Sequence, residues 1–301
     1  MNPILEVRDV RKSYGDFVAV GGVSMSVPPG SIFGLLGPNG AGKTSTIRMI
    51  MNITAPDTGE ILVFGRPRTP NDLRRIGYLP EERGLYRKMT VMDQLLFLGE
   101  IRGMKRAALV PEIDRWLGRV ELAKWSGSKI EELSKGMQQK VQLIGTVLHK
   151  PDLLILDEPF SGLDPINQEL FRELLQDYRS QGKSVVLSTH GMELAERMCD
   201  HICLISNGRA VLDGNLKEIK HRLGGNSFRV IAEGDLDRLR AMPEVEQATI
   251  QNNDEIKLML RPDADGAETL RQMIGFLKVR EFRSEEPELE QIFMKAVRDA
   301  A

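Results

Sequence analysis

Gly37-Pro38-Asn39-Gly40-Ala41-Gly42-Lys43-Thr44 fills the pattern G-x-x-x-x-G-K-[ST] at every fixed position. Before it stands Ser31-Ile32-Phe33-Gly34-Leu35-Leu36, a short apolar run that reads as a buried strand. After it, from Thr44 to Asn52, Ile47, Ile50 and Met51 recur at helical spacing. Strand, glycine loop and helix in that order have a definite chemical use. Glycines let the backbone curl until successive N–H groups converge on an anion. The helix N-terminus adds unsatisfied N–H groups and partial positive charge. Lys43 is placed to reach the β- and γ-phosphates of a nucleoside triphosphate, and the Thr44 hydroxyl to ligate Mg²⁺. The loop, Gly37 to Ser45, is therefore the expected nucleotide site. A chance glycine-rich turn would lack the flanking strand and helix.

Working outward, Ile4-Leu5-Glu6-Val7 and Val18 to Val27 have strand character, and Pro28-Pro29-Gly30 is a turn. Leu153-Leu154-Ile155-Leu156 is another continuous apolar run, the kind found in a parallel sheet covered on both faces. It delivers Asp157 and Glu158 to its tip, one carboxylate to hold Mg²⁺ and one to polarise an attacking water. Phe171 to Arg179 reads as a helix, and Ser184 to Thr189 and Ile202 to Ile205 as buried strands. Before Leu153, at about 88–150, lies a helical stretch with apolar residues such as Leu95, Ile113, Trp116 and Leu117 on amphipathic faces. Alternating strands and helices predict an α/β fold on a largely parallel sheet.

A break is expected at Leu223-Gly224-Gly225-Asn226, dividing the chain into 1–222 and 223–301. The tail carries a net charge of −5 and the remainder +3. Its pattern, β-α-β-β-α-β and a last helix from Glu288, predicts a small α+β domain of ferredoxin-like order. The chain of 301 residues is long enough for two domains. A net charge of −2 gives no basic field for nucleic acid. No stretch reaches the 18 or so apolar residues that cross a bilayer, and Met1 to Gly15 lacks the apolar region of a secretory signal. The two cysteines, Cys199 and Cys203, with His201 between them, read as buried small residues rather than metal ligands. His149 and His221 read as surface residues.

Leu133-Ser134-Lys135-Gly136-Met137-Gln138-Gln139-Lys140 resembles the signature of the ABC ATPases, usually LSGGQ followed by a basic stretch. Ser161-Gly162-Leu163-Asp164 resembles the D-loop of that family, and Ser188-Thr189-His190 its switch histidine. Tyr14 stands where an adenine-stacking aromatic is found, and Ile76-Gly77-Tyr78-Leu79-Pro80-Glu81 resembles the Q-loop. The resemblance covers residues 1 to about 222. It implies a P-loop NTPase with a RecA-like core, an antiparallel β subdomain and a helical insert. It also implies ATP and Mg²⁺, with Thr44, Asp157 and Glu81 around the metal, Glu158 as general base and His190 holding the water. Ser134 and Gly136, with Lys135 and Met137 beside them, would cap the γ-phosphate of an opposite subunit, and Asp164 would communicate across that interface.

Such a protein works as a homodimer or heterodimer of ATPase subunits. It is bound at the cytoplasmic face of the cell membrane to integral membrane subunits, with no nucleic-acid partner. Two motifs depart from the usual pattern, since Glu81 replaces the Q-loop glutamine and Lys135 and Met137 replace a glycine and a glutamine of the signature. The variants GYLPEERGLY and LSKGMQQK, with the tail Glu288-Leu289-Glu290-Gln291-Ile292-Phe293, resemble ATPases of sodium-export and drug-resistance type exporters. A soluble ABC ATPase acting on DNA, RNA or ribosomes is disfavoured. The single phosphate loop, the short gap between the loops and the acidic tail all count against it. An ATP-driven regulator of a membrane complex without cargo stays open.

Overall fold

In a computed structural model the structure describes residues 2–82, 84–223, 226–251, 254–261, 263–285 and 288–299. Arg83 of the expected Q-loop stretch, and Gly224 and Gly225 of the expected break, lie outside them. Two compact units divide at Gly214/Asn215. The helix Leu216–Leu223 thus falls in the second unit, ahead of the expected boundary at 222/223.

The first unit holds two sheets. An antiparallel sheet runs in the order Phe17–Val27, Leu5–Tyr14, Thr58–Val63, Arg66–Pro67. A six-stranded sheet runs Arg209–Asn215, His201–Ser206, Ile32–Leu36, Ser184–Thr189, Leu153–Asp157, Ile76–Leu79. In the second, Ile32–Leu36 pairs in parallel with Ser184–Thr189 and His201–Ser206, and Leu153–Asp157 with Ile76–Leu79 and Ser184–Thr189. Every residue of Ile32–Leu36 and Leu153–Asp157 is buried, as continuous apolar runs require in a sheet covered on both faces. Leu5, Val7, Val23 and Val63 of the antiparallel sheet share a core with Phe33, Leu35, Ile47, Ile155 and Val186. Each such side chain contributes roughly 1.5–3 kcal/mol by leaving water.

The helical insert comprises Val91–Ile101, Arg106–Arg119 and Lys135–Val147. Thr90 caps the first of these, its hydroxyl accepting from Asp93 N. Ser134 caps the third by accepting from Met137 N, each satisfying an orphan donor. The helix expected over Phe171 to Arg179 begins earlier, as Pro165–Ser180. Asp164 is its N-cap and Pro165 its first residue, where the missing N–H costs nothing.

The second unit is a four-stranded antiparallel sheet, ordered Val245–Ile250, Glu255–Leu260, Asn226–Gly234, Leu277–Ser284. Helices Leu236–Arg240 and Gly266–Ile274 connect its strands. Numbered along the chain, the strand order is 2-3-1-4, the ferredoxin-like arrangement expected from the tail. Its core joins Val230, Leu239, Ile256, Leu258, Met273 and Leu277.

Candidate functional site

The parallel strands end in register, with Leu36 beside Thr189, Asp157 beside Ser188 and Leu79 beside Leu156. Four loops therefore leave the same sheet edge. They carry Gly37 to Gly42, Glu158, His190 and Pro80-Glu81. The carboxyl edge of a parallel sheet is where such folds bind ligands.

Gly37, Gly40 and Gly42 all have positive φ, at 149°, 78° and 107°. A Cβ at Gly37 would stand 2.2 Å from Ile205 O, and one at Gly42 2.6 Å from Ala19 O, so only glycine fits these two places. The helix Lys43–Ile50 starts at once after the loop. Lys43 is buried and donates through Nζ to Gly37 O at 2.7 Å and Pro38 O at 3.1 Å. Thr44 Oγ1 donates to Asp157 Oδ1 at 3.3 Å.

Ser188 supplies the positioning that motif reading gave no role. Its hydroxyl donates to Asp157 Oδ1 at 2.6 Å and accepts from Glu158 N at 2.9 Å. Asp157 is 1% exposed, and its Oδ2 is buried without a hydrogen-bond partner among the described residues. Glu158 has φ 48°, a left-handed conformation uncommon for a residue with a side chain, of the kind that collects at functional sites. Its Oε2 meets His190 Nδ1 at 3.1 Å. Burial, with Asp157 nearby, pushes the Tyr78 phenol up to about 12, so it stays neutral beside this edge.

The resulting cleft is about 440 Å³ and is lined by Phe17, Ala19, Asn39, Gly40, Ala41, Gly42, Lys43, Thr44, Ser45, Glu81 and Glu158. Phe17, absent from the sequence-based candidates, stands in that lining, whereas Tyr14 does not. The two aromatics face each other across a hairpin, as Tyr14↔Phe17. Ser134, Lys135, Gly136 and Met137 line no part of the cleft. They form the start of their helix, with Ser134 and Lys135 exposed and Gly136 and Met137 half-buried, and a Cβ on Gly136 would stand 3.2 Å from Asn167 Nδ2. Asn167 in turn donates to both oxygens of Asp164, through N at 2.9 Å and Nδ2 at 2.6 Å. His149, expected at the surface, is half-buried against Ile76 O at 3.2 Å.

A family model described as ABC transporter matches residues 20–161, and one described as the C-terminal domain of DrrA1-3-like ATP-binding proteins matches residues 214–297. An uncharacterized ABC transporter ATP-binding protein of Bacillus subtilis is 42% identical over 294 residues, 98% of each chain. Nod factor export ATP-binding protein I of Cupriavidus metallidurans is 39% identical over 222 residues, 73% of each chain. A solved structure titled as the ATP binding subunit of an ABC transporter is 32% identical. It has a TM-score of 0.68 and covers 73% of this chain and 93% of that one. A glycine loop, two carboxylates and a histidine on one sheet edge, in a chain so closely matched along its length, identify a member of the ABC transporter ATP-binding protein family.

Proposed function

We propose that the chain hydrolyses ATP to power separate membrane-spanning subunits of an exporter, and does so as half of a head-to-tail dimer. One observation carries this reading. Lys43, Thr44, Glu81 and Glu158 share a cleft that the Ser134 to Met137 segment of the same chain does not reach. Ser134 and Lys135 of the signature stand exposed outside that cleft, as groups that serve a second subunit would.

The donors around Thr44 suit a hard cation. Thr44 Oγ1, the unpartnered Oδ2 of Asp157 and the Glu81 carboxylate offer oxygen only, the ligand type of Mg²⁺. When bound, Mg²⁺ would neutralise charge developing between the β- and γ-phosphates. Lys43 exchanges its bonds to Gly37 O and Pro38 O for phosphate oxygens. Glu158 takes a proton from the attacking water, and the His190 ring at its Oε2 fixes the direction of that carboxylate. Ser134 and Gly136 of the opposite subunit close the γ-phosphate side, with Asp164 at the same interface.

No helix among the described residues is long and apolar enough to cross a membrane. A groove lined by Tyr78, Pro80, Leu85, Leu98, Ile101 and Arg102 lies between the Glu81 loop and the helical insert. Tyr86 and Ile101 are largely exposed. This groove suits a helix from a membrane subunit at the cytoplasmic face. Export is inferred from the printed name of the Nod factor relative. The test is affinity purification from detergent-solubilised membranes with ATPase assay. A multi-span partner that stimulates hydrolysis is expected. Recovery with ribosomes or DNA alone would refute the reading.

A further inference from the structure

Glu81 sits between two backbone carbonyls, those of Tyr78 and Glu82, that face one helix. From Lys135–Val147, Gln142 Nε2 donates to Glu82 O at 3.3 Å, and Thr146 Oγ1, whose closer acceptor is Gln142 O of its own helix at 2.9 Å, stands 3.4 Å from Tyr78 O. From Val91–Ile101, Gln94 Oε1 accepts from Tyr86 N at 2.8 Å. The amide orientations are fixed by these partners, because a carbonyl only accepts and a backbone N–H only donates. Gln94 is 0% and Gln142 6% exposed. Gln94 Nε2 and Gln142 Oε1 have no hydrogen-bond partner among the described residues. The bond to the Glu81 loop is thus the one side-chain bond given for each amide. A leucine would fill much the same space, so packing alone does not call for these polar groups. A buried amide that lost its loop bond would also be costly.

We propose that Gln94 and Gln142 are positioning residues for Glu81. They anchor Glu82 and Tyr86 to the helical insert, so that Glu81 moves with the helix that begins at Ser134. Gln142 lies about two turns along that helix from Ser134, roughly 12 Å away. The helix is then a rod joining two nucleotide sites, with its N-terminus serving the opposite subunit and its middle holding Glu81 in the subunit's own site. This rests on the preceding reading that Ser134 engages a second subunit. Coupling between the sites would run through these hydrogen bonds, a contiguous physical network.

The test uses the full chain and four substitutions, Gln94→Leu, Gln94→Glu, Gln142→Leu and Gln142→Glu. Thermal melting separates a folding defect from a positioning one, and the leucine variants serve if a buried glutamate unfolds the chain. Gln94→Glu keeps the acceptor for Tyr86 N–H, so Tyr86 stays protected from hydrogen exchange, whereas Gln94→Leu removes that protection. Gln142→Leu cannot donate to Glu82 O, nor can Gln142→Glu while its carboxyl is ionised. Both should lower kcat about five- to tenfold and bring the Hill coefficient for ATP toward one, with ATP affinity nearly unchanged. Protected Tyr86 in Gln94→Leu, or wild-type kcat and cooperativity in both Gln142 variants, would overturn the proposal. A wild-type chain that fails to hydrolyse ATP would instead refute the functional reading. The exchange measurements would still decide whether the two glutamines hold the loop.

Discussion

Lys43 Nζ lies 3.3 Å from Glu158 Oε1, and both side chains are almost wholly buried. The cation proposed for phosphate and the carboxylate proposed for water therefore hold each other at the sheet edge. Removing one partner of a buried pair strands the other charge, at a cost of about 3–5 kcal/mol. Lys43→Met should show a loss of that order by denaturant unfolding. Adding Glu158→Gln, which removes the stranded charge, should restore most of it. Strictly additive losses would mean that the pair is not coupled.

His190 touches Glu158 through Nδ1, yet its side chain is 58% exposed. It therefore has little to lose in packing. His190→Ala should change stability by no more than about 0.5 kcal/mol, and lower kcat about 100-fold or more. Melting and steady-state hydrolysis on one preparation check both. A large fall in melting temperature would make the ring structural instead.

What the sequence made legible follows from locality. The glycine loop, Asp157-Glu158 and His190 each stand at the end of a short buried strand. A parallel sheet must bring those ends to one edge, so the motifs implied the site. The ferredoxin-like tail was legible because strand and helix periods alternate cleanly there. Phe17 was not, because its placement depends on how a hairpin folds over the loop. Gln142 was not, because its bond goes to a loop 60 residues away, and Gln94 was not, because a buried amide bonded eight residues back leaves no mark in the apolar pattern. The division at Gly214/Asn215 was hidden because the strand Arg209–Asn215 runs straight into the helix Leu216–Leu223, while the glycine pair that drew attention comes later.

The choice between Phe17 and Tyr14 is open to experiment. Phe17 is 64% exposed and lines the cleft, whereas Tyr14 has the Lys12 ammonium 5.8 Å from its ring centroid. Stacking on an aromatic face contributes about 0.5–1.5 kcal/mol, a factor of roughly two to ten in affinity. Phe17→Ala should weaken ATP binding by that factor, and Tyr14→Ala by less. The reverse ranking would return the adenine contact to Tyr14.

Arg68 holds the far end of the phosphate-loop helix. Its guanidinium donates to Met49 O and Ile50 O at 2.6 Å each and to Asn52 Oδ1 at 2.8 Å. A cation at a helix C-terminus satisfies orphan carbonyls and offsets the helix dipole. Arg68→Ala should cost about 1–3 kcal/mol of stability, with weaker ATP binding because the loop is mounted on that helix. Unchanged melting would show that water replaces the cap without loss.

The cleft is proposed to be half of a site completed by the signature of a second subunit. Light scattering of Glu158→Gln with saturating ATP and Mg²⁺ tests it most directly. The mass should double, and the doubling should be lost on the further change Ser134→Arg. A mass that stays monomeric, or a dimer indifferent to Ser134→Arg, would contradict it.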